Sequence, residues 1–194
     1  PLVGPTDAHS AILWARLPTA GAYRATITSE DTAHHSAPGA VSVDATATDA
    51  QDLTAQWRFT GLRPQTRYRY ELRDEAGAVL ASNEFRTAPA DGAPARVSIA
   101  FGSCAREDEG SRAVWKRMIA EGVDAVVLGG DTPYIDSTDL TVQRRRYREF
   151  AAVPEYQQLL ATRPHWATWD DHDFGRNDSD GTLPGKENSR QAFT

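Results

Sequence analysis

The chain has 194 residues, a net charge of −6 and a hydrophobic content of 40%, values that are ordinary for a folded globular protein. The excess of acidic over basic residues argues against non-specific binding to nucleic acid or to an anionic membrane. No apolar run approaches the roughly 20 residues that a membrane helix needs, so no membrane span is expected. The single cysteine excludes an internal disulfide.

Both ends of the chain suggest a piece of a longer protein. The sequence begins at Pro1 without an initiator Met or a signal-peptide pattern. It stops at Thr194, directly after a helix-like stretch over residues 187–193. We therefore expect a fragment, and any export signal would lie outside it.

The first part of the chain is predicted to form antiparallel β-structure. Short segments rich in β-forming residues alternate with turns that contain Gly, Pro, Asn or Asp. These segments cover residues 11–17, 23–28, 40–48, 54–60, 67–73 and 82–87. Their regular spacing predicts a β-sandwich with Trp14 and Trp57 in its core. His34 and His35 are predicted to be loop residues.

One stretch makes the sandwich prediction more specific. Leu62, Pro64, Thr66 and Tyr68 occupy alternate positions where the chain enters a predicted strand. This run resembles the tyrosine corner of fibronectin type III domains, in which a Tyr hydroxyl bonds back to the upstream backbone. It predicts a fibronectin-like domain over residues 1–89, followed by a short linker at 90–95 that is rich in small residues.

Residues 96–194 are predicted to form an α/β domain with the order β-α-β-α-β. Strands are expected at 97–104, at 123–128 and from residue 165, with helices at 111–122, 141–153 and 154–162. Ser111 is the predicted start signal of the first helix. A basic run in the second helix is predicted to be a solvated face; it comprises Arg144, Arg145, Arg146 and Arg148.

Each predicted strand of this domain ends in residues that can bind a metal ion. In an open parallel sheet the carboxyl ends of the strands share one edge, where ligand sites form. Cys104 ends the first strand; as a thiolate it would need a nearby cation, and otherwise a lone Cys is usually a small apolar residue. Asp131 could bridge two hard cations, although a carboxylate at such a turn also commonly bonds its own backbone. Tyr134 could bind ferric iron or cover the sheet edge.

The third strand is followed by the densest polar cluster in the chain, Asp170-Asp171-His172-Asp173. Burying this much charge without cations would cost several kcal/mol, so the cluster is predicted to be either solvated or neutralised by metal. His172 could be a ligand, or the acid that protonates a leaving oxygen. Asn177 and Asp178 could add oxygen ligands or make a turn.

Three motifs, FGSC, GGDTPYID and TWDDHDFGRND, occur in this order after an LWARL-type strand. Together they resemble the PhoD-like alkaline phosphatases, which belong to the calcineurin-like metallophosphoesterase superfamily. The resemblance implies that residues 96–194 are the N-terminal part of a metallophosphatase domain. It implies metal-dependent hydrolysis of phosphoesters, monoesters or diesters, with His172 as the catalytic residue that assists the departing alkoxide.

The same resemblance implies a metal site. Cys104, Asp131 and Tyr134 would hold Fe³⁺, and Asp171 and Asn177 would hold a second metal, calcium, although zinc or another divalent ion stays open. Asp136 stands where the family often has Glu, and the later His-containing motifs would lie beyond Thr194. The fragment alone is therefore expected to be weak or inactive. The resemblance further implies a small phosphate-ester substrate and a periplasmic or secreted location, and a monomer is expected.

Two other hypotheses remain open at this stage. The chain could be a non-catalytic extracellular binding module with a degenerate α/β scaffold, because fibronectin-like domains often serve that way. It could also be a different metal hydrolase on the same scaffold. The presence of Cys, Asp, Tyr, Asp and His at one predicted sheet edge favours an enzyme.

Overall fold

The computed structural model describes residues 1–30 and 39–194, so the predicted loop residues His34 and His35 lie outside the described ranges. Two compact units make up the chain. The first contains Pro1–Val97 and Leu160–His165, and the second contains Ser98–Leu159 and Trp166–Thr194. Among the described residues, none of the helices combines the length and the apolar character that crossing a membrane requires.

Strands β1 to β7 of the first unit form two antiparallel sheets with the orders β1-β2-β5 and β4-β3-β6-β7. Their bounds are Leu2–Thr6, Ser10–Arg16, Gly21–Ser29, Val41–Ala47, Thr54–Thr60, Arg67–Asp74 and Val79–Arg86. Strand β1 is not among the predicted strands, because Gly4 and Pro5 are poor strand residues. Its register shifts between Val3 and Thr6, and Pro is tolerated because β1 lies at a sheet edge.

The alternation of side chains along the strands decides which aromatic residues enter the core. Trp57 is fully buried and lies opposite Leu13, which is also buried. The prediction that Trp14 is a core residue is wrong. Trp14 follows Leu13 and therefore points to the other face of β2, where it is half-buried and lies opposite Gln56.

The predicted tyrosine–backbone bond is present in the first unit. Tyr68 is 2% exposed, and its hydroxyl oxygen accepts a hydrogen bond of 2.9 Å from the backbone N–H of Arg63. Its ring stacks on Phe85 with the centroids 5.7 Å apart. Thr66 stabilises the same corner, since its hydroxyl donates to the carbonyl of Pro64 at 2.9 Å.

The second unit is mixed α/β, as predicted. Its sheet has the order β10-β9-β8, and β8 runs parallel to β9. The strands are β8 (Ile99–Gly102), β9 (Ala125–Gly129) and β10 (His165–Thr168). The helices are α1 (Glu109–Ala120), α2 (Leu140–Ala151), α3 (Pro154–Thr162), α4 (Asp171–Phe174) and α5 (Lys186–Phe193). Residues 160–162 of α3 and the first residue of β10 are grouped with the first unit. Residues 87–98 contain no helix or strand.

Three details of this unit differ from the sequence-based expectations. Helix α1 begins at Glu109 because Asp108, and not Ser111, is its N-cap; the Asp108 carboxylate accepts from the backbone N–H of Ser111 at 2.8 Å. Arg146 does not belong to a solvated helix face, since its side chain is only 24% exposed and pairs with Glu107 and Glu149. The short helix α4 was not predicted.

One face of the sheet is apolar and open. Strand β9 is mostly buried, as expected for its continuous apolar sequence. In contrast, Ile99 and Phe101 of β8 are 60% and 71% exposed. Trp166 of β10 is also exposed. Ile99 and Phe101 are two positions apart in β8 and therefore share a face, which the described residues leave as a hydrophobic surface.

Candidate metal centre

Backbone hydrogen bonds join the three segments that follow β8, β9 and β10. The N–H groups of Cys104 and Ala105 donate to the carbonyls of Gly130 and Asp131, at 3.1 and 3.0 Å. The N–H groups of Ile135 and Asp136 both donate to the carbonyl of His172 at 2.9 Å. The predicted site residues are therefore held together by main-chain contacts between residues far apart in the sequence.

Asp131 lies at the centre of this arrangement. The residue is 5% exposed. One carboxylate oxygen accepts from the backbone N–H of His172 at 3.2 Å, and the other lies 3.5 Å from Sγ of Cys104. A buried carboxylate beside a thiol is a suitable pair of anionic donors for a cation.

Asp171 and His172 complete a group that could hold a metal ion. One donor atom from each of Asp131, Asp171 and His172 lies within 4.8 Å of the other two. The second carboxylate is also held in place, because Oδ2 of Asp171 accepts from the backbone N–H of Asp178. Two carboxylates and an imidazole at this separation match the ligands of many divalent and trivalent ions.

Tyr134 lies against the same group. Its ring centroid is 4.5 Å from that of His172, and the guanidinium carbon of Arg106 lies 4.1 Å from the centroid of the Tyr134 ring. Loss of solvent raises the pKa of the Tyr134 hydroxyl, and a hydrogen bond with Cys104 and the negative charge of Asp131 raise it further. A cation at this position would act in the opposite direction, favouring phenolate and thiolate.

His172 is oriented by Asp136. Nδ1 of the imidazole lies 2.5 Å from Oδ1 of Asp136, and this bond is the main reason why the pKa of His172 is raised. The negative charges of Asp131 and Asp171 act in the same direction. Because Nδ1 is engaged, Nε2 is the ring nitrogen left for a ligand or a reacting proton.

Asp173 differs from the expectation that the acidic cluster is either solvated or neutralised by metal. It is 1% exposed, so it is not solvated, and its carboxylate accepts from the N–H groups of Asp170 (2.6 Å) and Thr132 (3.5 Å). Burial raises its pKa to about 6. Asp170 and Asp173 form the capping box of α4, so this pair has a structural role. The Asp-x-x-Asp spacing was the sequence signal for it.

Asn177 is placed differently from the other predicted ligands. It is exposed, and its side-chain amide donates to the carboxylate of Asp178 at 2.6 Å. The next residue, Asp178, contacts Asp171 through its backbone N–H. The segment therefore approaches the site, while a ligand role for the Asn177 side chain stays a prediction.

The backbone near the site adopts unusual conformations. Cys104, Asp131 and Asp136 have φ values of 54°, 51° and 55°, in the left-handed region that L-residues rarely occupy. Such conformations cost about 1–3 kcal/mol each and concentrate at functional sites. Position 130, with φ of 95°, also requires glycine for steric reasons, because a Cβ there would lie 2.5 Å from the backbone nitrogen of Asp170.

The fold has a clear counterpart among solved structures. No protein-family model matches the chain, and no curated protein is significantly similar to it in sequence. A structure of PhoD superposes on 99% of the chain with a TM-score of 0.83 and 20% sequence identity. The chain therefore has a PhoD-like fold. It covers 44% of the PhoD chain, less than half of that protein's length.

Fibronectin domains match a smaller part of the chain. The FN5 domain of Drosophila Lar covers 44% of it at 18% identity, and the chain covers 88% of that domain. The third fibronectin III domain of human KIAA0343 covers 48% at 14% identity, with 82% of that domain covered. The TM-scores are 0.34 and 0.32.

Proposed function

We propose that the chain carries part of the active site of a metal-dependent phosphoester hydrolase of the PhoD-like alkaline phosphatase type. The observation that supports this most directly is the meeting of Cys104, Asp131 and Tyr134 with Asp171 and His172, within a PhoD-like fold. Residues 1–89 would be the fibronectin-like N-terminal domain, and residues 96–194 the first part of the catalytic domain.

The residues present fit a pair of cations. A thiol, a carboxylate and a phenol in contact with one another favour a trivalent ion such as Fe³⁺, with Cys104, Asp131 and Tyr134 as its ligands. Asp171, with Asn177 as a further oxygen donor, suits calcium, and zinc or another divalent ion is chemically compatible. When bound, the ions would supply Lewis-acid stabilisation of phosphoryl oxygens and activation of water.

The protein's own groups would handle the proton and the orientation of the substrate. Asp136 raises the pKa of His172 and fixes its ring, so that Nε2 can donate a proton to the departing alkoxide. Asp131 is held by the N–H of His172 and Asp171 by the N–H of Asp178, so neither carboxylate has to reorganise during the reaction.

The remaining features of the proposal follow from the PhoD likeness. The substrate would be a small phosphate ester, and the protein would act as a periplasmic or secreted monomer. Nucleic acid is not expected to be a substrate, given the net charge of −6. Because the chain covers 44% of the PhoD chain, activity is expected in a longer chain that contains these 194 residues, and weak or no activity from residues 1–194 alone.

The test is hydrolysis of aryl phosphate mono- and diesters by such a longer chain, together with elemental analysis of bound metal. We expect activity to be lost with a chelator and to fall about 100-fold or more in Asp131→Asn and Cys104→Ala. Asp44→Asn, the same substitution at an exposed carboxylate of the first unit, is the control. Chelator-insensitive activity, or full activity in Cys104→Ala, would contradict the proposal. Absence of both metal and hydrolysis would favour the binding module.

A further inference from the structure

Arg146 on helix α2 connects two loops of the candidate site. Its guanidinium donates to the carboxylate of Glu107 at 2.6 Å and to that of Glu149 at 2.8 Å. It also donates to the backbone carbonyl of Tyr134, from Nε at 3.4 Å and from Nη2 at 3.3 Å. The side chain is 24% exposed, so these bonds are partly shielded from water.

The two loops carry different members of the predicted ligand set. Glu107 belongs to the loop that follows β8 and Cys104, whereas Tyr134 belongs to the loop that follows β9 and Asp131. The bond to Glu107 joins residues that are 39 positions apart, and the bond to Tyr134 joins residues 12 positions apart. One side chain therefore ties both loops to the same helix.

The loops need such a contact because their backbones are strained. Cys104 and Asp131 have positive φ values, and conformations of this kind persist only where the surroundings over-determine them. Arg106, in the loop after β8, already contacts the ring of Tyr134 from one side. Arg146 holds the backbone of the same residue, so that both the ring and the main chain of Tyr134 are fixed.

We propose that Arg146 is a positioning residue that sets the separation between the side chains of Cys104 and Tyr134. Its planar fork of donors can serve two carboxylates and a carbonyl at once, which the ammonium of Lys cannot do in the same geometry. Only the last step, from loop position to metal geometry, rests on the proposed function. The contact between the loops does not require a metal.

The deciding experiment is amide hydrogen exchange on the metal-free chain. We expect Arg146→Ala to speed exchange about tenfold at Cys104 and Ala105, whose N–H groups bond to the loop after β9. The same change is expected at Ile135 and Asp136, whose N–H groups bond that loop to the carbonyl of His172 in α4. Arg145→Ala is the matched control, because Arg145 is 58% exposed and its ion pair with Glu149, at 3.8 Å, lies within helix α2. Equal exchange rates at these amides in the two variants would overturn the proposal.

Two further variants keep the test decisive if Arg146→Ala does not fold. Glu107→Gln removes the charge at the other end of the contact, and we expect faster exchange at Cys104 and Ala105. Arg146→Lys keeps the positive charge and should restore only part of the protection. Wild-type exchange in Glu107→Gln, or full restoration by Lys, would contradict the role given to the guanidinium fork.

A spectroscopic measurement separates this inference from the proposed function. With Fe³⁺ bound, phenolate and thiolate ligands give a visible charge-transfer band, and we expect Arg146→Ala to shift or weaken it while Arg145→Ala does not. An unchanged band despite faster exchange would overturn the step from loop position to metal geometry. Absence of any band in the wild-type chain would count against iron binding, and the exchange result would still decide the loop contact.

Discussion

His172 and Asp136 are bonded to each other twice. The imidazole Nδ1 lies 2.5 Å from Oδ1 of Asp136, and the backbone N–H of Asp136 donates to the carbonyl of His172 at 2.9 Å. The two residues are 36 positions apart, so the pair fixes the loop after β9 against the start of α4. The arrangement resembles a general acid with its orienting carboxylate.

Replacing Asp136 tests this relationship. Asn is the best substitute because it tolerates the positive φ of 55° that Asp136 adopts. We expect Asp136→Asn to lower the pKa of His172, since the bond with Asp136 is the largest cause of its elevation. The measurement is an NMR titration of the His172 ring in the metal-free chain, with Asp91→Asn as control. An unchanged pKa would show that Asp136 does not govern this imidazole.

Gly130 should tolerate no side chain. A Cβ at this position would lie 2.5 Å from both the Cβ and the backbone nitrogen of Asp170, in addition to the strain of φ at 95°. Gly77 has a similar φ of 86° but open space around it, which makes it a matched control. We expect Gly130→Ala to reduce the free energy of unfolding by about 1–3 kcal/mol more than Gly77→Ala. Equal losses in urea unfolding would contradict the close approach.

The ion pairs of Glu155 should make the free energy of unfolding depend on pH. A hydrogen bond from Arg112 is the main reason why the pKa of Glu155 falls to about 2, and Lys116 contributes as well. Because the folded-state pKa is depressed, the stabilisation is fully present above the unfolded value of 4.5 and is lost as pH falls toward 2. The difference in unfolding free energy between wild type and Glu155→Gln should therefore shrink on acidification.

The control for Glu155 is the exposed pair between Arg117 and Glu121 on helix α1. Glu121→Gln should change stability by only a few tenths of a kcal/mol at any pH, because solvent screens such pairs. Urea unfolding at neutral and at acidic pH distinguishes the two variants. A pH-independent effect of Glu155→Gln would show that the ion pair with Arg112 does not contribute.

The tyrosine corner should contribute measurably to the stability of the β-sandwich. Tyr68→Phe removes the acceptor of the Arg63 N–H, and we expect a loss of about 1–2 kcal/mol in the free energy of unfolding. Tyr23→Phe is the matched control, because it removes a hydroxyl of another buried Tyr that bonds to Thr19 and not to the corner. A smaller loss in Tyr68→Phe than in Tyr23→Phe would contradict the role of the corner.

The open face of the second sheet should bind hydrophobic probes. Phe101 is 71% exposed, so Phe101→Ser is expected to change stability by less than about 0.5 kcal/mol while reducing the fluorescence of a bound apolar dye. Phe59→Ser, at a position that is 1% exposed, should instead cost about 3 kcal/mol or more. Undiminished dye binding in Phe101→Ser would place the apolar surface elsewhere.

Local sequence patterns were sufficient for much of the architecture. Alternating apolar residues predicted the strands β2 to β7. The run that starts at Leu62 predicted a bond from a Tyr hydroxyl to the upstream backbone, and the structure shows Arg63 as the partner of Tyr68. These patterns failed where contacts with residues far apart in the sequence decide whether a segment forms a strand or a side chain enters the core. Pro5 is accepted because β1 lies at a sheet edge, and Trp14 is excluded from the core by the face it occupies.

The donor groups that follow the strands of the second unit can be read from the sequence, because the composition of a turn and the end of an apolar run are local properties. How these groups are used depends on the folded arrangement of the chain. It brought Asp131 within 4.8 Å of Asp171 and His172, placed the Asp173 carboxylate beside the backbone N–H of Thr132, and turned Arg146 from a surface charge into a contact between loops. Those outcomes depend on residues dozens of positions apart, and no periodicity along the chain encodes such distances.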